Sequence, residues 1–422
     1  MERTLSISIL LLLSILSYSQ ETPTKSDTLR KDALNVFMEA TDYIRKEIPY
    51  VNYVRDIKDA GVYIISTSQN TGSGGKEFTY FLVGQLDFAG MRDTLSFVTT
   101  PDETAEGQRE KEVNTLKMGL MRYVAKTPLS KYMKISFSEP LSETVSSDKW
   151  NSWVISTSLG GFLNGEKTNQ SSDFFGNMSA RRITEKSKNE IDLNFSRGDQ
   201  KFEFDDTTIS SISRSKEVNY LYVKSLNDHW SIGGSTNIGS FTYSNHDLRI
   251  SVLPGIEYDI FPYSQSTRKQ LRILYSIGYE YNNYTDSTIY DKMEEGLGLQ
   301  SLTGALELVQ KWGSIDISMN WRNYLYDWSK NNLSPNGSLS LRIAKGLSVS
   351  FGGGASLVHD QLSLPKGDMA PSDVLLRRRE QATQFRYFTY FNLSYTFGSI
   401  YNNVVNPRFG NRGGGGMQIT IN

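Results

Sequence analysis

From Trp230 to Phe397 the chain repeats one pattern: about ten residues in which every second side chain is apolar, a turn, and the same again. Leu248, Ile250, Val252, Ile256, Tyr258 and Ile260 fall on one face of such a segment, with Arg249, Ser251, Gly255, Glu257 and Asp259 on the other. A tilted strand of about 9 to 11 residues crosses a bilayer, and a closed antiparallel barrel is the sheet that leaves no backbone group unpaired in lipid. The alternation therefore predicts a transmembrane β-barrel. Half of each such strand faces the lumen, so a mean hydropathy of -0.42 is compatible with the fold.

The first residues suit a membrane address. Glu2 and Arg3 precede an apolar run from Ile7 to Leu16, and Ser17-Tyr18-Ser19 places small residues at the two positions a signal peptidase reads. Residues 1–19 are expected to be a signal peptide cleaved before Gln20, since the run is too short to span a membrane as a helix. The sequence has no cysteine, which excludes a disulfide framework, thiolate chemistry and a lipid anchor on cysteine. Its 45 basic residues balance 46 acidic ones, with no basic face of interleaved aromatics, so nucleic acid is not an expected partner.

Residues 31–128 follow a different grammar. Leu34, Phe37, Met38, Thr41, Ile44 and Ile48 are spaced like one face of a helix, as are Val113, Leu116, Leu120, Tyr123 and Val124. Between them lie strand-like runs at 50–55, 62–68, 78–86 and 95–99. The pattern predicts a small α/β domain, followed by a linker at 129–148 that holds Pro140 and a strand-like piece from Met133 to Phe137. The barrel is then expected over 149–398, with strands at 149–163, 172–186, 188–204, 214–224, 229–242, 247–260, 269–282, 297–310, 313–326, 337–345, 346–358 and 383–398. Twelve is an even number, as bacterial single-chain barrels require, and short and long connections alternate as periplasmic turns and surface loops do. Two connections break the phase: Ser244 to His246 is short and Phe261 to Arg268 is long, which leaves ten or fourteen strands open. A tail at 399–422 carries Gly413 to Gly416 and a short amphipathic stretch from Met417 to Ile421, read as a disordered terminus or as a strand added to the α/β sheet.

The closing segment Phe391-Asn392-Leu393-Ser394-Tyr395-Thr396-Phe397 and the tail Asn402-Asn403-Val404-Val405-Asn406-Pro407, with the barrel pattern before them, resemble poorly characterised outer-membrane β-barrel proteins of Bacteroidota-type envelopes. Tyr50 to Asp56 and the turn Thr71-Gly72-Ser73-Gly74-Gly75 are similar to small periplasmic α/β domains attached to envelope secretion and assembly proteins. The resemblance implies an outer-membrane location with the N-terminal domain and tail in the periplasm, and it brings no catalytic residues.

Chemistry-bearing motifs are sparse. Thr71 to Lys76 ends in Gly-Lys, but Asn70 stands where a phosphate loop needs glycine and Glu77 where it needs Ser or Thr; a hairpin loop is the expectation. His229, His246 and His359 fall at or near strand ends, with no metal-ligand spacing among them, so no metal or other cofactor is expected. Ser244 and His246 are an example of a nucleophile-base pair, although residues so close in sequence rarely meet with the required geometry.

Charges cannot face acyl chains cheaply, so the lumen is expected to receive Arg249, Arg272, Arg322, Arg342 and Arg386 with Glu257, Asp259, Glu280, Glu307 and Asp316. Such a set either pairs across a narrow lumen and seals it or lines a polar passage. Gly233, Ser235, Gly352, Gly354 and Ser356 leave space on the same face. Trp150, Trp153, Trp230, Trp312, Trp321 and Trp328 mostly mark strand ends, as interfacial girdles do. Arg377-Arg378-Arg379 lies in the longest surface loop, either solvated or set against lipopolysaccharide phosphates. Taken together these features predict a non-catalytic envelope scaffold or narrow solute passage, in contact with outer-membrane lipid and lipopolysaccharide. The α/β domain is then expected to bind a periplasmic envelope protein, and an outer-membrane lipase or esterase is the alternative.

Overall fold

The computed structural model describes residues 32–134, 148–204, 207–344, 346–367 and 380–396. The expected signal peptide, most of the expected linker, the Arg377-Arg378-Arg379 run and the expected tail lie outside the described residues. The N-terminal unit holds β1 (Asn35–Phe37), α1 (Asp42–Glu47), β2 (Asn52–Tyr53), β3 (Val62–Asn70), β4 (Lys76–Gly84), β5 (Arg92–Thr99) and α2 (Ala105–Val124). Its sheet runs in the order β2-β1-β3-β4-β5, with β1 parallel to both neighbours and the other pairs antiparallel.

The long first helix expected from Leu34 to Ile48 does not form; the helix is confined to α1. Leu34 and Val36 are both buried at a spacing of two, so this stretch obeys the strand period and inserts between β2 and β3. Thr41 then starts the helix, its Oγ1 accepting the backbone N–H of Ile44 at 3.3 Å. Thr104 caps α2 in the same way through Gly107, at 3.1 Å.

The buried stripe Val113, Leu116, Leu120, Tyr123 and Val124 of α2 packs on Val36, Val62, Ile64, Tyr80 and Leu82 from the sheet. Gly119 permits this approach, since a Cβ there would stand 2.8 Å from Leu95 and 3.0 Å from Leu82. Burial, with the Glu112 carboxylate that accepts its hydroxyl at 2.8 Å, pushes the Tyr80 phenol well above its usual range. Pro128–Tyr132 forms a 3-10 turn, and Leu129 and Met133 pack on this core, so the start of the expected linker stays with the domain.

The second sheet has twelve strands. They are β6 (Trp153–Gly165), β7 (Asn169–Ile183), β8 (Ser187–Phe204), β9 (Thr207–Ser225), β10 (Trp230–Phe241) and β11 (His246–Asp259). These are followed by β12 (Lys269–Tyr284), β13 (Glu294–Gln310), β14 (Gly313–Tyr324), β15 (Asp327–Ala344), β16 (Leu347–Val358) and β17 (Phe385–Tyr395). Each pairs antiparallel with its sequence neighbours, in unbroken order from β6 to β17. Among the described residues β6 pairs only with β7, and β17 only with β16.

All twelve expected strands are present, and the two connections that broke the phase hide neither a missing nor a merged strand. Asn245, at φ +62°, turns the short β10–β11 connection, while a 3-10 turn at Tyr263–Gln265 fills the long one. The expected loops 205–213 and 327–336 are largely strand. Residues such as Asn331, Asn332, Ser334 and Asn336 lack apolar alternation, yet they continue the ladder with β14 or β16. Pro254 and Pro335 each keep one partner strand, at Gly234 and Met319, and have no register partner on the other.

Leu120→Ala, which empties the centre of the α2 contact, is expected to destabilise the α/β unit by about 2–5 kcal/mol. Urea titration of the full chain, followed by proteolysis of the N-terminal unit, checks this: that unit should be cleaved at lower urea while the twelve-stranded sheet keeps its wild-type resistance.

Candidate functional site

Register fixes which side chains share a face. Directly opposed residues point the same way, and the pairs Glu257 with Leu274, Asp259 with Arg272, and Glu307 with Asp316 carry one face from strand to strand. On it lie Arg249, Glu257, Asp259, Arg272, Glu280, Glu307, Asp316, Arg322, Arg342 and Arg386, together with Ser251, Ser276, Asn320 and Ser350. This face is concave, because Arg322 on β14 meets Glu280 on β12 across the whole width of β13.

Glu280 is the centre of the site, with its side chain 3% exposed. It accepts hydrogen bonds from Arg249 Nε and Nη2 at 3.0 and 2.7 Å, from Arg322 Nη2 at 2.7 Å and from the Tyr324 hydroxyl at 3.1 Å. Asn282 Nδ2 adds a contact at 3.3 Å. Two guanidinium groups thus share one carboxylate, leaving the cluster one positive charge in excess. Arg322 Nε is buried and makes no hydrogen bond within the described residues.

The remaining charges are deployed differently. Asp259 accepts the backbone N–H groups of Phe261 and Leu271, both at 3.3 Å, and so fixes the β11–β12 turn. Glu307 and Asp316 are like charges directly opposed. Arg342 reaches out of the sheet to Glu39 at 2.7 Å. The expected space at Gly352 and Gly354 is taken up: a Cβ on Gly352 would meet the Tyr390 ring at 2.5 Å, and one on Gly354 would meet Asn336 Oδ1 at 2.1 Å.

The longer connections close over this cluster. Asn245 Nδ2 donates to the carbonyls of Asp286 and Ser363, both at 2.9 Å, and its Oδ1 accepts the Asp286 N–H at 2.8 Å. Ile289 N–H reaches Leu364 O at 2.8 Å, and Lys366 pairs with Asp291. The loop after β16 thereby turns down, and Leu362 packs among Leu297, Leu299 and Tyr324 on the concave face. Neither Asn245 nor Leu362 stands out in the sequence. Their partners are 41 and 118 residues away for Asn245, and no local pattern encodes such contacts.

Ser244 and His246 do meet: the Oγ lies 3.2 Å from Nδ1. The expectation that such near neighbours stay apart fails because the tight turn at Asn245 folds the hydroxyl back. The imidazole is packed between Phe241 and Tyr284, at 6.5 and 5.4 Å between ring centroids, and it makes no ion pair with a carboxylate among the described residues. The same residues contain no group of histidine and acidic side chains arranged to hold a metal ion.

No family model matches the chain, and no curated protein matches it. Among solved structures it is similar to a NanC porin at 9% identity and a TM-score of 0.28, over 57% of this chain and 99% of that one. A KdgM porin matches at 11% identity and a TM-score of 0.25, covering 58% and 100%. The translocator domain of the autotransporter NalP from Neisseria meningitidis matches at 10% identity and a TM-score of 0.22, covering 58% and 87%. Similarities this slight carry no functional inference.

Glu280→Gln leaves Arg249 and Arg322 facing each other without a counter-charge, at an expected cost of about 3–5 kcal/mol. Thermal unfolding followed by gel mobility should show a transition lowered by several degrees, whereas Asp316→Asn, which relieves the opposition to Glu307, should leave it unchanged or raise it.

Proposed function

We propose that this chain is a non-catalytic outer-membrane β-barrel protein of a diderm bacterium, whose polar concave face lines a narrow solute passage. The observation that carries the reading is the contrast between the two faces of the twelve-stranded sheet. The convex face presents Val252, Ile256, Ile273, Ile277, Ile317, Met319 and Phe351, each 42–55% exposed. A continuous belt of this kind far exceeds the apolar patches that soluble monomers tolerate, and lipid is the solvent that suits it. Trp153, Trp230 and Trp312 stand at the turn end of the strands, while Trp321 and Trp328 lie toward the loop end with ring centroids 6.0 Å apart. Two aromatic rims separated by an apolar band are what the two bilayer interfaces select.

On this reading the α/β domain and the tail lie on the periplasmic side, supported by the two longest connections of the opposite end, 285–293 and 359–384, which would stand among lipopolysaccharide. In the membrane, β6 and β17 run antiparallel and close the sheet by pairing with each other, since an unpaired edge is intolerable in hydrocarbon. The outward side of the α/β domain bears an apolar groove of about 480 Å³ lined by Tyr50, Met121, Leu129, Tyr132 and Met133. This groove is where a periplasmic envelope partner would dock.

A second reading, a lipid-hydrolysing enzyme, has the Ser244–His246 contact in its favour. Three measurements separate the readings. Membrane fractionation with a heat-modifiability gel should recover a membrane-embedded barrel; a soluble protein would overturn the assignment. In planar bilayers the protein should give steady openings whose selectivity shifts toward cations in Arg272→Glu. Silence would favour a scaffold, and lipid hydrolysis abolished by His246→Ala would establish the enzyme.

A further inference from the structure

The α/β domain and the barrel touch, and the pattern of contact goes beyond a tether. The face of the five-stranded sheet opposite α2 carries Phe37, Tyr63, Ile65, Phe81 and Val83, all half-buried. What covers that face is the turn end of the twelve-stranded sheet. Glu39 bonds Arg342 at the end of β15, and the same guanidinium lies over the Phe37 ring, 4.6 Å from its centroid. Arg268, in the turn before β12, lies over the Phe81 ring at 4.9 Å. Gly72, in the β3–β4 turn, abuts Ile183 at the end of β7, where a Cβ on the glycine would stand 2.7 Å from the isoleucine Cβ.

These footholds are spread along the rim at β7, β12 and β15, so the domain lies across the mouth instead of hanging from one strand. A cleft of about 310 Å³ remains beneath it, between Phe37, Tyr63 and Ile65 on one side and Val309, Gly313 and Arg342 on the other. The latch is built to release. The Glu39 side chain is 86% exposed and that of Arg342 38%, so their attraction is screened by water and salt. The other footholds are two cation–π contacts and one close van der Waals contact, and relative motion is the default for domains not joined by a large apolar interface.

We propose that the α/β domain is a releasable stopper seated over the turn-end mouth, and that Glu39 on Arg342 is its latch. The proposal rests on the passage reading above. The chain has no cysteine, so a designed pair is unambiguous. Gly72→Cys with Ile183→Cys places two Cβ atoms 2.7 Å apart, and an outward shift of the β3–β4 turn by about 1 Å gives the separation of about 3.8 Å that a disulfide prefers.

In the full-length protein in planar bilayers, oxidation of this pair should cut channel openings at least tenfold, and reductant should restore them. Glu39→Ala, which leaves every barrel charge in place, should raise the open fraction severalfold and lessen its dependence on salt. Openings that are equal in oxidised and reduced protein, with the crosslink verified by gel, would overturn the stopper while leaving the passage intact. Failure of the crosslink to form under oxidant would overturn it too, since the domain would not be seated there. Absence of openings in the reduced pair and in Glu39→Ala alike would remove the passage itself, and the stopper with it.

Discussion

The pairing of the larger sheet follows from the cost of an unpaired backbone amide away from water, several kcal/mol for each group in the lipid proposed above. Strands must be paired along their length, and successive antiparallel neighbours satisfy that with the shortest connections. The order from β6 to β17 is therefore the order of the sequence. The two prolines obey the same constraint. Each has no amide hydrogen to give, and each sits where only one neighbouring strand is in register with it.

Once pairing is fixed, the period of two divides the sheet into an apolar face and a polar one, and curvature makes the faces unequal. Side chains on the concave side converge, so an arginine two strands away reaches Glu280; on the convex side they splay. Burial of Glu280 is tolerable only because its oxygens are saturated by two guanidinium groups, a phenol and an amide. The cluster pins β11, β12 and β14 together at the level where the Leu362 loop descends.

The sequence disclosed what repetition could disclose. Alternation locates all twelve strands, because parity along a strand is local, and the same parity is what supports the proposed lining of charged residues. Strand ends were harder to read. Beyond the apolar belt the outward positions have no reason to be hydrophobic, so Asn331 to Asn336 looked like loop while their backbones continued the ladder. The helix expected from Leu34 onward is too long because Leu34, Phe37 and Ile44 fit a helical stripe as well as a strand followed by a helix. Thr41 was the capping signal that could have separated them. The loop-end closure through Asn245 and the Arg342–Glu39 contact were beyond reach, since each joins segments with no shared pattern.

The terminal strands, each paired on one side only, also bear on how the molecule folds. Every ladder from β6 to β17 joins sequence neighbours, so the sheet is able to zip hairpin by hairpin with little loop entropy lost at each step. Joining its two ends is a different event: one contact that encloses nearly the entire sheet and that no earlier hairpin prepares. In the closed barrel proposed above, closure is therefore expected to come last, and its seam to be where exchange of amide hydrogens begins.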